Sequence, residues 1–425
     1  MMSKPTQQQL KWADMEIGVI IHYLMDIYNP EYKAIKTVGV REHMPASIFA
    51  PTKLDTDQWI AAAKSAGAKY AVLVANHCTG FSLWPTRDND YSIASSPWKD
   101  GKGDIVGDFV KSCEKYGLKP GLYYSTGCNG YYGISDADPD THPGTPRYDE
   151  YVKHVNAQLT ELWTQYGDMF EIWFDGGTIP KEKGGPDAAG LLEKYQPDAI
   201  CFQGPKGHAH NVRWVGNELG LSPENCWAAT NDGEAAYDGT FNVEDAGVGD
   251  PDGKYWWPAE NDMGNRRSDA FGGGWAWRAG EQDKVYTSEE LLECYLRSVG
   301  RNANLLIGMA INRDGEFEDA KQFEDFGRMI NEKFGKAKAE TSGCGKHIEL
   351  DLPDGALDYV VIREDITNGH IVRAFTVSID GKEVYSAKCI GHKRIIKLNG
   401  ARGKKLTLDI TESAGEPVIR DMGVY

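Results

Sequence analysis

An acidic residue ends a strongly apolar run, FEIWFDGG, over residues 170–177. Four large apolar or aromatic residues lead up to Asp175, and two glycines follow it. The run is typical of a buried strand, which would hold the carboxylate rigidly while the glycines leave space for a ligand. The alternative for Asp175 is a turn residue or helix N-cap that follows a strand. The pattern makes Asp175 a candidate for chemistry that needs a fixed carboxylate.

Polar and aromatic side chains also stand where neighbouring apolar runs end. They are His22, His77, Tyr123, Tyr124 and, after the WWP run, Glu260. If the runs are parallel strands of one barrel, their carboxyl ends open on the same pocket. A single histidine in such a place is more often a core residue with its hydrogen bonds satisfied. The functional interpretation therefore depends on several of these side chains meeting in one pocket.

Apolar runs of strand length alternate with amphipathic stretches along the first 330 residues or so. The predicted strands are 16–23, 68–77, 118–125, 170–177, 198–204, 225–231, 254–260 and 303–310. The predicted helices are 55–67, 103–117, 150–167, 288–300 and 319–335. Eight strands that alternate with helices indicate an α/β fold, a (β/α)8 TIM-like barrel. The alternative is an open doubly wound sheet, but no glycine-rich nucleotide fingerprint follows an early strand.

The pattern of predicted secondary structure changes from about Lys346 onward. Short alternating strands split by Gly and Asp turns predict a small C-terminal β-sandwich. We therefore expect a barrel domain over residues 1–338, which would carry the chemistry, and a sandwich domain over residues 339–425.

Composition narrows the class of partner. The chain has 425 residues and a formal net charge of -17, which argues against nucleic acid or an anionic membrane surface as a partner. The 12 Trp and 21 Tyr, many beside Gly, Asn and Asp, are typical of carbohydrate sites, although core packing explains them equally well. Homo-oligomerisation is left open by the sequence.

The N-terminus and the cysteines bear on the compartment. The first 18 residues are polar and lack the apolar segment of a signal peptide, which predicts a cytoplasmic protein. The doubled Met leaves open a trimmed signal, and with it a periplasmic or secreted protein. Eight scattered cysteines without a CxxC pair indicate reduced thiols.

Several motifs together resemble glycoside hydrolase family 29, the retaining α-L-fucosidases. They are KYAVLVANHCTGFSLWPT, DYSIASSPWKDGKGDIVGDFVKSCEKYGLKPGLYYS, IWFDGG, RWVGNE and GRNANLLIG, with the tail motifs DYVVIRED, NGHIVRAF and IGHKRI. The resemblance covers residues 11–425. It implies an exo-acting glycosidase that takes a small-molecule glycoside or oligosaccharide and uses no cofactor and no metal ion.

The resemblance assigns roles to two carboxylates. Asp175 in the WFDG strand matches the family nucleophile, and Glu218 in RWVGNE matches the general acid/base. Glu260 is the competing candidate for the acid/base. A retaining glycosidase needs such a pair about 5–5.5 Å apart, one ionised to attack and one protonated to assist departure of the leaving group. The resemblance and the expected pocket together suggest these substrate-binding residues: His22, Glu42, His77, Cys78, Tyr123, Trp173, Arg213, Trp257, Glu260 and Trp275.

One stretch departs from the family pattern. The family usually reads HHDGF, whereas this chain reads His77-Cys78-Thr79-Gly80-Phe81. A thiol is a weak hydrogen-bonding group and does not replace an imidazole. The resemblance implies L-fucose as the sugar, and this departure makes a related L-sugar such as L-galactose or L-glucose the alternative. A catalytically inactive carbohydrate-binding relative stays open as an alternative, as does a barrel enzyme of other chemistry, such as a metal-dependent isomerase.

Overall fold

The computed structural model describes residues 2–29, 43–135, 138–231, 243–244 and 247–425. The helices are α1 (Gln7–Ala13), α2 (Thr56–Ser65), α3 (Ile105–Tyr116), α4 (Pro146–Gln165), α5 (Ala188–Tyr195), α6 (Ser288–Ser298) and α7 (Ala320–Phe334). The first ten strands are β1 (Ile17–His22), β2 (Tyr70–Asn76), β3 (Lys119–Tyr124), β4 (Glu171–Phe174), β5 (Ile200–Phe202), β6 (Asn211–Trp214), β7 (Ala229–Thr230), β8 (Tyr255–Trp256), β9 (Ala259–Met263) and β10 (Ala303–Ala310).

Eight parallel strands close into a barrel in the order β1-β10-β9-β6-β5-β4-β3-β2. Six of them follow the predicted strands. The predictions of barrel strands at 225–231 and 254–260 are wrong. These segments hold β7 and β8, which pair with each other outside the barrel, and only the last two residues of the second segment belong to a barrel strand, β9. The barrel uses β6 and β9 instead. Their sequences, NVRW and AENDM, bury polar residues and so show no apolar run.

The helices begin and end where local chemistry favours it. The Asp104 side chain accepts a hydrogen bond from the backbone N–H of Gly107 at the start of α3. Gly117 ends that helix with a left-handed φ of 76°. Thr287 and Glu290 form a capping box at the start of α6. Among the described residues, no helix is long and apolar enough to cross a membrane.

Helix α1, which the sequence did not predict, covers the N-terminal end of the barrel. The buried Gln9 side chain donates hydrogen bonds to the carbonyl oxygens of Asn211 (2.8 Å) and Trp256 (2.7 Å). The carbonyl of Trp12 accepts one from the Asn304 side chain at 2.8 Å. A ligand therefore has to enter at the opposite end, where the strands finish.

The C-terminal residues form the expected sandwich of two four-stranded antiparallel sheets. Its strands are β11 (Ala339–Cys344), β12 (His347–Asp351), β13 (Leu357–Glu364), β14 (Val372–Ile379), β15 (Lys382–Ala387), β16 (Arg394–Ala401), β17 (Lys405–Ser413) and β18 (Val418–Val424). The sheets have the orders β11-β18-β13-β16 and β12-β17-β14-β15. The sequence did not predict β11 or β18. The eight cysteines of the chain are all free.

A nearly buried ion pair joins the barrel to the sandwich. Lys393 donates hydrogen bonds to both Glu16 carboxylate oxygens (2.8 and 2.7 Å) and to the Tyr295 hydroxyl (2.8 Å). Burial favours the neutral carboxyl, but the charge and hydrogen bond of Lys393, together with the nearby charges of Arg363 and His392, outweigh burial and lower the pKa of Glu16. Burial also lowers the pKa of Lys393, against the attraction of Glu16. The three short bonds of the ammonium group favour the ionised pair at neutral pH.

Replacing Glu16 with alanine is expected to reduce the free energy of unfolding by about 3–5 kcal/mol, because the Lys393 ammonium loses its counter-charge inside the protein. Urea unfolding at neutral pH measures this. The exposed pair between Lys405 and Glu349 is the matched control, and Lys405→Ala should cause no measurable loss. An equal effect of both variants would contradict the prediction.

The same pair predicts a pH dependence. The pKa of Glu16 in the folded protein lies below its usual value of 4.5, so the pair stabilises the fold above about pH 4.5. This stabilisation should be lost as the pH falls through the lowered pKa. In Glu16→Ala that part of the acid-induced decrease in stability should be absent.

Candidate active site

Asp175 directly follows the buried strand β4 and is exposed. The next two residues, Gly176 and Gly177, have left-handed φ angles of 70° and 76°, which side chains disfavour. The Gly176 N–H donates to Gln203 Oε1 (2.9 Å), which anchors the turn to the residue after β5. The Tyr123 hydroxyl donates to Asp175 Oδ2 at 2.7 Å. The carboxylate is thus held by a buried strand and one short hydrogen bond.

A stack of aromatic rings runs across the ends of four neighbouring strands. Tyr123, Trp173 and Phe202 occupy paired positions on β3, β4 and β5. The ring centroids of Tyr123 and Trp173 are 5.4 Å apart, and those of Trp173 and Phe202 are 3.9 Å apart. His77, just after β2, stacks on the other face of Tyr123 at 5.7 Å. The sequence-predicted residues His77, Tyr123 and Trp173 therefore lie together beside Asp175.

Glu218 is exposed on the loop that follows β6. The Asn217 side chain accepts a hydrogen bond from the Leu219 N–H (3.0 Å), which fixes the turn around Glu218. The Gly220 N–H donates to the carbonyl of Asp262 (3.1 Å), so the loop folds back onto the end of β9. Glu218 Oε2 accepts a hydrogen bond from the Trp275 indole at 3.2 Å.

Trp275 connects Glu218 to the two histidines. Its ring lies 5.0 Å from that of His22, the last residue of β1, and His22 lies 6.2 Å from His77. Gly308 on β10 leaves room for the indole, since a Cβ there would come within 3.0 Å of the ring. The resulting series of contacts joins, in order, Asp175, Tyr123, His77, His22, Trp275 and Glu218.

Three polar atoms in this region are buried without a hydrogen-bond partner among the described residues. They are Nδ1 of His22, Nδ1 of His77 and Oδ1 of Asp26. Burial and the charge of His77 lower the pKa of His22 to about 3, so its imidazole is neutral at ordinary pH. Burial raises the pKa of Asp26, and His77 opposes that shift. Unpaired buried groups are costly, so the cluster is suited to a ligand with hydroxyl groups.

Two acidic residues near the site, Asp26 and Asp262, were not predicted from the sequence. Asp26 lies four residues beyond His22, in a short 3-10 turn that continues from β1. Asp262 stands two residues beyond Glu260 on β9 and is almost fully buried. Burial and the nearby charge of Glu218 raise the pKa of Asp262 well above its usual range. The alternation of Glu260 and Asp262, which share one face of a strand, is the signal that could have identified β9.

Glu260 does not occupy the expected place. It was predicted to follow a strand and face the pocket, but it is the second residue of β9 and is 0% exposed. Its two carboxylate oxygens accept hydrogen bonds from the Trp173 indole (2.9 Å) and the Tyr70 hydroxyl (2.6 Å). The aromatic stack therefore separates Glu260 from the pocket that holds Asp175.

Arg213 and Trp257 also lie away from the contacts that join Asp175 to Glu218. Arg213 is buried on β6 and donates to the carbonyl oxygens of Trp227 and Gly247, both at 2.8 Å. Trp257 comes before β9 begins and therefore lies at the N-terminal end of that strand, where its ring stacks on Tyr255 at 5.0 Å. Both residues were predicted because they belong to a motif, and a motif does not show which way a side chain points.

Two further predicted residues complete the set. Cys78 is buried at 9% exposure close to Tyr123, and its carbonyl accepts a hydrogen bond from the Gly130 N–H at 2.7 Å. Glu42 lies outside the described residues. The contacts at the C-terminal end of the barrel thus bring together eight of the predicted residues: His22, His77, Cys78, Tyr123, Trp173, Asp175, Glu218 and Trp275.

Comparison with known proteins identifies the family. The Alpha-L-fucosidase family model matches residues 3–331. Alpha-L-fucosidase 1 of Arabidopsis thaliana is 29% identical over 474 residues, which cover 99% of this chain and 87% of that protein. A crystal structure of a candidate α-L-fucosidase from Bacteroides thetaiotaomicron is 33% identical, has a TM-score of 0.91, and covers 100% of this chain and 99% of its own. A glycoside hydrolase 29 family member from an unknown rumen bacterium is 29% identical, with a TM-score of 0.79 and coverage of 100% of this chain and 77% of that one. The chain belongs to the α-L-fucosidase family, glycoside hydrolase family 29, whose members are glycoside hydrolases.

Proposed function

We propose that the protein is an exo-acting, retaining α-L-fucosidase or a closely related α-L-glycosidase. Asp175 is the nucleophile and Glu218 is the general acid/base. The observation that supports this best is the unbroken series of contacts between the two exposed carboxylates at the ligand-accessible end of the barrel. In this proposal residues 1–338 form the catalytic domain and residues 339–425 a second, structural domain.

In the first step an oxygen of the ionised Asp175 attacks the anomeric carbon of the sugar. The glycosidic C–O bond breaks, and its electron pair remains on the departing oxygen. That oxygen takes the proton from the carboxyl group of Glu218, and a covalent glycosyl-aspartate is left. The hydrogen bond from the Tyr123 hydroxyl holds the Asp175 carboxylate in place for this attack.

In the second step Glu218, now ionised, removes a proton from water. The water oxygen attacks the anomeric carbon, the bond to Asp175 breaks, and the carboxylate is regenerated. Two displacements at one carbon leave the product with the configuration of the substrate. The hydrogen bond from Trp275 to Glu218 supports this role, because it aims the carboxyl into the pocket and leaves its other oxygen to exchange protons.

The unpartnered polar atoms support recognition of a sugar. The hydroxyl groups of a sugar ring can donate to or accept from the imidazole nitrogens of His22 and His77, and they can donate to Asp26. The half-buried Trp275 offers an apolar face against which a sugar ring can pack.

The choice among L-sugars depends on the surroundings of Cys78. The family pattern has an imidazole at this position, and the thiol supplies at most a weak hydrogen bond. The family match supports L-fucose as the first candidate, and the thiol at position 78 is the reason to keep L-galactose and L-glucose as alternatives on the same scaffold.

A hydrolysis panel tests the proposed activity. The 4-nitrophenyl α-L-fucoside, α-L-galactoside and α-L-glucoside are compared with the common D-glycosides, and Asp175→Ala serves as the blank. We expect turnover of at least one α-L-glycoside and none with the variant. Turnover of D-glycosides alone would contradict the α-L assignment. No turnover across the panel, together with binding of free L-fucose, would favour an inactive carbohydrate-binding relative.

A further inference from the structure

A cluster of buried carboxyl groups lies inside the barrel, beneath the aromatic stack. Glu260 on β9 and Glu171 on β4 are both 0% exposed. The ring of Tyr70 reaches this place because β1 carries Gly18, where a Cβ would come within 2.3 Å of the ring. The mechanism proposed above uses none of these groups, although two buried carboxyls in one barrel are costly.

The cluster touches the catalytic apparatus through one hydrogen bond. The indole N–H of Trp173 donates to Glu260 Oε1 at 2.9 Å. The Trp173 ring stacks on Tyr123 at 5.4 Å with an interplanar angle of 19°. The Tyr123 hydroxyl in turn donates to Asp175 at 2.7 Å. Three consecutive contacts thus lead from Glu260 to the proposed nucleophile.

The packing of Trp173 explains why its hydrogen bond to Glu260 is needed to fix the position of the indole. Its indole lies between Tyr123 and Phe202, and the interplanar angle with Phe202 is 4° at a centroid distance of 3.9 Å. Stacking on two faces fixes the plane of a ring but resists rotation and sliding within that plane only weakly. A hydrogen bond from the single N–H of the indole fixes this remaining freedom.

The hydrogen-bond pattern also suits a carboxylate at position 260. Each carboxylate oxygen of Glu260 accepts one hydrogen bond, Oε1 from the Trp173 indole and Oε2 from the Tyr70 hydroxyl. The titratable groups that face Glu260 are Tyr70 on β2, Glu171 on β4 and Asp262 on β9. Burial raises the pKa of both Glu260 and Glu171, and two adjacent carboxyls do not readily ionise together.

We propose that Glu260 is a positioning residue for the nucleophile. Through its hydrogen bond to Trp173 it fixes the indole against Tyr123, and so keeps the Tyr123 hydroxyl directed at Asp175. This inference rests on the proposed function of Asp175. It gives Glu260 a role that differs from both acid/base catalysis and contact with the sugar.

A double-mutant cycle on the active enzyme tests the proposal. Glu260→Ala and Tyr123→Phe are measured singly and together with the best substrate of the panel, at a temperature well below the unfolding of every variant. We expect Glu260→Ala to lower kcat/KM by about 10- to 100-fold, the cost of a small misplacement of reacting groups. Both changes act through the hydrogen bond from Tyr123 to Asp175, and Tyr123→Phe already removes it. The double variant should therefore be hardly slower than Tyr123→Phe alone.

Two companion variants separate positioning from stability. Glu260→Gln keeps an oxygen that accepts from Trp173, so it should retain kcat/KM within about 3-fold of the wild type. Glu364→Ala is the matched control, because Glu364 is a buried carboxyl in the sandwich that accepts from the backbone N–H groups of Ile371, Val372 and Gly391. It should lower stability and leave kcat/KM unchanged.

Several outcomes would overturn the proposal. One is an unchanged kcat/KM in Glu260→Ala, and another is a cycle in which the two single effects multiply. If Glu260→Ala does not fold, Trp173→Phe takes its place in the cycle, because phenylalanine keeps the stack and lacks the N–H. Inactivity of the wild type across the panel, or full activity of Asp175→Ala, would instead refute the proposed function itself.

Discussion

Asp175→Ala is expected to lower kcat/KM by roughly 10⁴-fold or more, the order of loss seen when a nucleophile is removed. The fold should persist, because Asp175 is exposed and lies outside the core of the barrel. The measurement is steady-state hydrolysis of the best panel substrate, with the melting temperature followed in parallel.

Asp175→Asn is the matched control for the hydrogen bond. The amide oxygen still accepts from the Tyr123 hydroxyl, but the neutral amide is a poor nucleophile. We expect the same loss of activity with an unchanged melting temperature. An asparagine variant that keeps more than a few per cent of wild-type activity, after deamidation is ruled out by mass spectrometry, would show that Asp175 does not attack the sugar.

Added azide should distinguish the two carboxylates by stereochemistry. In Asp175→Ala the small anion can enter the space that the carboxylate vacates and attack the substrate once, which gives a glycosyl azide of inverted configuration. In Glu218→Ala azide attacks the glycosyl-enzyme instead, so two displacements give a glycosyl azide of retained configuration. Proton NMR of the products resolves the two cases.

Glu218→Ala is expected to be the second most damaging change, and its effect should depend on the leaving group. Natural glycosides, whose leaving oxygen needs a proton, should lose about 10²–10⁴-fold in kcat/KM. Nitrophenyl glycosides should lose far less in the first step, because nitrophenolate departs without protonation. The comparison of both substrates, with and without azide, is the measurement.

The same experiment on Glu260 provides the contrast. Glu260 was the competing acid/base, but it is buried beneath Trp173. Its alanine variant should slow good and poor leaving groups to the same extent and should not respond to azide. Azide rescue of Glu260→Ala together with none for Glu218→Ala would reverse the assignment.

The fold was predictable from sequence where burial produces a visible pattern. Strands such as β2 and β10 are buried throughout and mostly apolar, and helix α3 carries both of its terminal signals, Asp104 and Gly117. Strand β9 was not predicted, because Glu260, Asn261 and Asp262 are all buried, whereas hydrophobic periodicity assigns such polar residues to the protein surface.

The site was predictable at strand ends and less so elsewhere. Asp175, His22 and His77 follow or end apolar runs, and the convergence of parallel strands brings them into one pocket. Arg213 and its neighbour Trp214 face opposite sides of β6, so membership in a motif did not reveal which of them turns inward. The contact of Trp275 with Glu218 joins loops from different parts of the chain and has no local signal.

The most direct test of the central claim is to trap the intermediate. The protein is treated with the 2-deoxy-2-fluoro glycosyl fluoride of the sugar that it hydrolyses. Fluorine at C2 destabilises the charged transition states of both steps, whereas fluoride leaves without a proton, so the glycosyl-enzyme accumulates. We predict that peptide mass spectrometry will find one sugar, attached to Asp175. A label on another residue, or no label together with a first product of inverted configuration, would contradict a double displacement through Asp175.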